Sequence, residues 1–408
     1  MRAKNLVDVL NIFTPNKSLA TKEELEAYFV KRPYDPLQEM ERYLQNTEER
    51  TKILFTGHRG SGKSTELNRL SVNLDARFFI VKFSITKSLN LADLNYIDIL
   101  LVCMLGLLHK AIDEKVKVNE GILEYVFNWL HHDITEEKVI TYSEDMGLSG
   151  SLNLFVSKME GKLRQESITR TTLRTKITPR LSELIDKINL MIPEIEENTG
   201  KEVLIIIEDI DKVDLEVARH LFSQHGISLC SIDSKMIYTF PIALRYSDDF
   251  AQTARTFNSH FILSNITLLD RQGQELSQAY EVLRDVILRR AEEDLLTESA
   301  IKKAIQLSGG LMVDLIKLIQ NASCKADLSQ RKFIDACDIL KSANEIRNDY
   351  SIMLKPEQYA LLKRINKSKK KKPVNEPALQ MCLYNLSLLE YRNDEVWVDV
   401  HPIVKPLL

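Results

Sequence analysis

Gly57-His58-Arg59-Gly60-Ser61-Gly62-Lys63-Ser64 follows a short apolar run, Thr51 to Phe55, and precedes a helical stretch, Glu66 to Leu74. The spacing is GxxxxGK[ST], and a strand before it with a helix after it is the setting this spacing requires. Gly57, Gly60 and Gly62 allow the backbone to curl so that successive N–H groups point at one anion. The following helix adds the partial positive charge of its first turn. The loop, with His58, Arg59 and Ser61 between its glycines, therefore reads as a cradle for the phosphates of a nucleoside triphosphate. In that reading Lys63 holds the β- and γ-phosphates, the Ser64 hydroxyl serves Mg²⁺, and Thr65 supports the α-phosphate.

A second strand must bring acids to the same place. Val203-Leu204-Ile205-Ile206-Ile207 is five β-prone apolar residues in a row, as in a central parallel strand, and Glu208-Asp209-Ile210-Asp211 follows at its carboxyl end. That end is where ligands sit in open α/β sheets. Phe78 to Ser84, Lys235 to Ala243 and His260 to Leu268 are further strand candidates with helical stretches between them. The alternation predicts an α/β fold, a parallel sheet with flanking helices.

The two motifs together resemble the Walker A and Walker B elements of the AAA+ and STAND ATPases, including origin-recognition-type and KAP-type members. The resemblance covers residues 30–90 and 200–330 and leaves 91–200 as an unexplained, mostly helical insert. It implies ATP and Mg²⁺ as ligands and an ATPase acting as a conformational switch. Where the family ends its strand Asp-[Asp/Glu], this chain has Glu208-Asp209. Alignment makes Glu208 the metal-side acid, with Asp209 sharing the metal or polarising the attacking water; Asp211 matches a third acid of the pattern. Thr239 occupies the sensor-1 position, expected near the γ-phosphate. Arg255, and secondarily Arg245, stand where a trans-acting arginine finger is found, which implies a homo-oligomer or a protein partner. Arg32 and Tyr34 lie in the segment that touches adenine. Residues 283–326 resemble the helical lid, but Met312 and Val313 stand where the sensor-2 arginine is expected after Gly309-Gly310.

Beyond the lid, Pro356 to Ile365 and Asn375 to Leu386 read as helices. Leu388 to Arg392 and Glu395 to Val400 read as a hairpin turning at Asn393-Asp394. This order resembles the end of a winged helix-turn-helix domain. Lys367, Lys369, Lys370, Lys371 and Lys372 precede its second helix and are candidate contacts to DNA phosphates, which would suit a DNA-binding AAA+ ATPase in replication, transposition or antiviral defence. The expected organisation is an N-terminal helical lead (1–50), an ATPase core (51–270), a lid (271–347) and a winged-helix-like domain (348–408).

Composition narrows the alternatives. The chain has 408 residues and a formal net charge of -3, so no global basic field marks a nucleic-acid partner. Its five cysteines include no CxxC pair, which disfavours a zinc site or disulfide framework and suits a reducing cytoplasm. The longest apolar run, Ile97 to Leu108, falls short of the roughly 20 residues of a membrane span and predicts a buried helix. A membrane-associated KAP-type scaffold is the alternative that this run and residues 141–157, read as a small hairpin, would support.

Overall fold

The computed structural model describes residues 2–130, 147–270, 272–368, 372–373, 375–393 and 395–408. Five strands, β1 (Lys52–Gly57), β2 (Phe78–Ser84), β3 (Glu202–Glu208), β4 (Lys235–Pro241) and β5 (Ser259–Leu263), form one sheet in the order β2-β3-β4-β1-β5. All four pairings are parallel. Both faces are covered, which is why these strands read as continuous apolar runs rather than alternating ones. Val203 through Ile207 are all fully buried. Alternate residues nevertheless serve different cores. Ile205 and Ile207 join Phe79 and Val81 on the face toward the insert, while Leu204 and Ile206 join Leu67 and Leu70 of the helix Lys63–Leu74.

The apolar run from Ile97 lies in the helix Tyr96–Asp113, whose residues are buried on nearly every side. No helix among the described residues is long and apolar enough to cross a membrane. A capping box at Asn95 and Asp98 starts this helix, and Arg174 pairs with the buried Asp98. The expected hairpin at 141–157 is corrected where it is described. Gly147–Gln165 is a helix, and residues 141–146 lie outside the described residues. The alternation of Leu148, Leu152, Leu154 and Val156 suggested period two. Yet Leu154 is 54% exposed, and Leu152, Phe155, Val156, Met159 and Leu163 form the buried stripe, at the three-to-four-residue spacing of a helix. Pro193 does not end the helix that contains it. It lies within Leu181–Thr199, where buried Ile188, Met191, Ile192 and Ile195 offset the lost hydrogen bond.

Two strand candidates end sooner than their composition suggested. Ile242–Tyr246 turns into a 3-10 helix, and β5 stops at Leu263. The lid region is helical (Ser277–Leu288, Glu298–Ser308, Met312–Leu328, Ala336–Met353). The N-terminal lead does not stand apart from it. Ala3, Leu6, Val9 and Phe13 share a core with Leu283, Ile287, Leu315 and Ile319. The chain ends in the helices Pro356–Lys367 and Pro377–Tyr384 and the antiparallel pair β6 (Leu388–Arg392) and β7 (Val396–Val400). Asp394 of the expected turn lies outside the described residues.

Candidate functional site

The loop after β1 has the backbone its glycines foretell. Gly60 and Gly62 have φ of 75° and 100°, the left-handed region that a side chain resists. A Cβ on Gly60 would also lie 2.1 Å from Val313. Gly62 starts the helix Lys63–Leu74 with no side-chain cap. The N–H groups of its first turn are thus left for a ligand.

Lys63 Nζ sits between the carbonyls of Gly57 (2.9 Å) and His58 (2.8 Å) and the carboxylate of Asp211 (2.9 Å). Both members of that ion pair are buried, and both line a cavity of about 650 Å³. Ser64, Thr65, Arg59, Asp209 and Lys212 share the cavity wall. The three acids at the end of β3 separate in space. Asp209 has φ of 71°, and this turn aims it at β2. Its carboxylate accepts from Ser84 and from Thr86 (2.9 Å) and pairs with Lys212 (2.6 Å). Burial alone would raise its pKa, but Lys212 and the two hydroxyls hold it below the usual carboxylate range. Glu208 turns away to Lys82 of β2 (3.2 Å) and does not line the cavity. Burial raises its pKa against the opposing pull of Lys82, with Asp209 and Asp211 adding to the rise. Of the three acids, Asp211 meets Lys63, Asp209 shares the cavity wall, and Glu208 does neither.

Other expected positions fall elsewhere. Thr239 does not line the cavity. Its hydroxyl accepts from Ile210 N–H (3.1 Å), so it fixes the acidic turn. Arg32 reaches the cavity but is occupied by Glu66 (3.3 Å) and by the carbonyls of Ser61 and Ser264. Tyr34 is 56% exposed and outside the cavity wall. Arg255 is exposed on the helix Phe250–Thr256, away from this chain's own cavity. Arg245 binds Glu390 of β6 (2.9 Å).

Several cavity residues had no local signal in the sequence. The wall also includes Ile12, Tyr28, Phe29, Val30, Met312 and Ile316, and Arg290, which is held on the carbonyls of Tyr28 and Val286. Tyr384, Asn385 and Leu386 come from the C-terminal segment, with the Arg59 guanidinium 4.9 Å over the Tyr384 ring. That segment also grips the loop directly, through the Glu390 N–H, which donates to His58 Nε2 (2.7 Å), and the lid through Tyr391, which donates to the Gly309 carbonyl (2.7 Å). The lid in turn holds the loop, the Val313 N–H donating to the Gly60 carbonyl (3.0 Å). Of the lysine run, Lys367 and Lys372 are exposed, and Lys369, Lys370 and Lys371 lie outside the described residues.

A parallel sheet with the phosphate loop at the end of its fourth-placed strand and acids at the end of its second is the P-loop nucleotide-binding architecture. No protein-family model matches the sequence, and no curated protein does. Among solved structures, the chain is similar to Cdc6p from Pyrobaculum aerophilum, with a TM-score of 0.41 and 12% identity over 97% of this chain and 95% of that one. It is similar to the ORC1 protein of Aeropyrum pernix, solved in complex with DNA, with a TM-score of 0.39 and 10% identity over 98% of both chains. The RuvB Holliday junction branch migration motor of Thermotoga maritima follows at 0.34 and 14%, over 91% and 85%. These similarities transfer no residue roles.

Proposed function

We propose that the chain binds ATP with Mg²⁺ at Gly57–Ser64, hydrolyses it to ADP and phosphate, and passes the nucleotide state to its lid and C-terminal segment. The observation that carries this reading is Lys63 held against Asp211 inside a cavity that the P-loop, lid and C-terminal residues wall together. Arriving phosphates give Lys63 a stronger anionic partner and release the Asp211 carboxylate. Asp211 and the Ser64 hydroxyl are then a donor set suited to Mg²⁺, which prefers one or two carboxylates plus substrate phosphates. Bound there, the ion would offset charge on the phosphate oxygens. Asp209, ionised and fixed by Ser84, Thr86 and Lys212, is placed to orient a water for attack on the γ-phosphorus, with the bond to the bridging oxygen breaking. Arg255 is available to a neighbouring copy.

Lys63→Ala tests the reading. Its affinity for a fluorescent ATP analogue should fall by at least about tenfold, a loss of about 1.4 kcal/mol. Wild-type affinity in the folded variant would overturn it. The DNA-binding alternative rests on the lysine run and the C-terminal hairpin, with Lys367 and Lys372 exposed and Lys369, Lys370 and Lys371 outside the described residues; the membrane-scaffold alternative rests on residues 141–157 and on the apolar run, which is buried in the helix Tyr96–Asp113.

A further inference from the structure

Two lysines and two acids on the wall of the nucleotide cavity form two ion pairs. Lys63 holds Asp211 at 2.9 Å, and Lys212 holds Asp209 at 2.6 Å. The pairs differ in burial. Both members of the first are buried, whereas the Lys212 side chain is 43% exposed. An ion pair open to solvent contributes little, so its ammonium changes partners at small cost. The backbone beneath it is pinned. Around the turn Ile210–Lys212, the Ile210 N–H donates to the Thr239 hydroxyl (3.1 Å), the Lys212 carbonyl accepts from Arg59 of the phosphate loop (2.8 Å), and the Val213 carbonyl accepts from the Tyr384 hydroxyl (3.1 Å). Lys212 thus combines a root fixed beside the loop with a flexible stem.

The other cations on the cavity wall are committed elsewhere. Arg32 is held by Glu66 and two carbonyls, and Arg290 by the carbonyls of Tyr28 and Val286. Arg59 donates to the Lys212 carbonyl, and Lys17 pairs with Glu24 of the N-terminal lead (2.6 Å) rather than with an acid at the end of β3. The carboxylate of Asp209 is divided between partners. Oδ2 accepts from Ser84 and Thr86, and Oδ1 is taken by Lys212. The two hydroxyls hold the carboxylate in place without Lys212, so the lysine caps the oxygen that they leave open. The charges of Lys63, Lys212, Asp209 and Asp211 cancel, and a triphosphate adds several negative charges to them. A phosphate oxygen competes with Asp209 for the ammonium on those terms.

We propose that Lys212 is a ligand of the terminal phosphate: when ATP arrives, its ammonium moves from Asp209 to a γ-phosphate oxygen and leaves Asp209 Oδ1 open to a water. The proposal rests on the ATP-binding reading above and gives that site a second lysine. Lys63 serves the phosphates from the loop, and Lys212 serves the last of them from the acidic turn. ADP has no γ-phosphate, so it leaves Lys212 on Asp209 and the oxygen capped. The exchange ties the uncapping of Asp209 to the presence of the bond that is to be broken.

The test measures the affinities of the full chain for a non-hydrolysable ATP analogue and for ADP, in EDTA, by displacement of a fluorescent ADP analogue. Lys212→Met should weaken the triphosphate by at least about tenfold and ADP by less than about twofold, and the retained ADP binding shows that the variant is folded. Lys212→Arg, which keeps the charge, should restore most of the preference. Asp209→Asn breaks the same ion pair from the other side but leaves the lysine, so its triphosphate affinity should hold or rise. A purely structural role for the pair predicts equal losses in Lys212→Met and Asp209→Asn. Such equal losses, or a Lys212→Met variant with an unchanged preference for triphosphate over diphosphate, would overturn the proposal. Lys63→Ala separates the two readings. Undiminished binding of both nucleotides by that variant overturns the ATP site itself, whereas weakened binding of both, alongside an unchanged preference in Lys212→Met, overturns the role of Lys212 alone.

Discussion

Asp211 and Glu208 lie three residues apart, but their surroundings divide their roles. Asp211 faces Lys63 in the cavity, and Glu208 is held by Lys82 on the far side of β3. In an assay of Mg²⁺-dependent ATP-analogue binding, Asp211→Asn should raise the metal concentration required by about tenfold or more, whereas Glu208→Gln should change it by less than about threefold. The reverse order would restore the role that alignment implies for Glu208. His58 makes a second residue-scale prediction. Burial, then the neighbouring charges of Lys63 and His401, lower its pKa from 6.5 to about 3. A histidine whose pKa is depressed on folding contributes stability that is complete above 6.5 and is lost as pH falls toward 3. Urea midpoints measured across that range should fall less steeply for His58→Gln, which keeps a side-chain acceptor for the Glu390 N–H. An unaltered slope would mean that His58 is not buried neutral.

At the scale of elements, the contact between β6 and the 3-10 helix Ile242–Tyr246 that follows β4 matters most. Glu390 is 2% exposed and takes both Arg245 and the Tyr246 hydroxyl. Removing it leaves a largely buried guanidinium without its partner, at a cost of about 3 kcal/mol. Glu390→Ala should therefore lose about that much in denaturant unfolding and should become more open to proteolysis after Tyr384. The elements themselves differ in how far local sequence reveals them. β1, β2 and β3 were legible because strands covered on both faces read as unbroken apolar runs. The helix Lys63–Leu74 was legible because the glycine loop announces its start. Gly147–Gln165 was misread because its small and apolar residues fit both periods, and only packing against the helix Tyr96–Asp113 selects the helical stripe. The end of β4 was overrun because apolar character continues through Ala243 after the backbone has turned.

For the molecule as a whole, the site depends on segments distant in the chain. Residues Thr14–Leu19 wall the cavity, while Leu6, Val9 and Phe13 anchor that lead in the lid's core at about 1.5–3 kcal/mol for each buried side chain. Deleting residues 2–20 should lower the thermal midpoint and weaken ATP-analogue binding by about tenfold or more, although every residue of the phosphate loop remains. Equal affinity in the truncated chain would show the lead to be dispensable for binding.

The phosphate loop, the acids at the end of β3 and the parallel α/β sheet were determined by the sequence itself. Each depends on short-range physics: glycine conformations, the first turn of a helix, an apolar run closed by charge. Which acid meets Lys63, where Thr239 and Arg32 spend their polar atoms, and that Tyr384, Arg290 and the N-terminal lead share one cavity were decided only by the tertiary structure. Those outcomes depend on which long-range partner the packed fold brings to each buried polar group, and no local pattern encodes that choice. The loop at Gly57–Ser64 names the ligand class, and the fold assigns the residues that serve it.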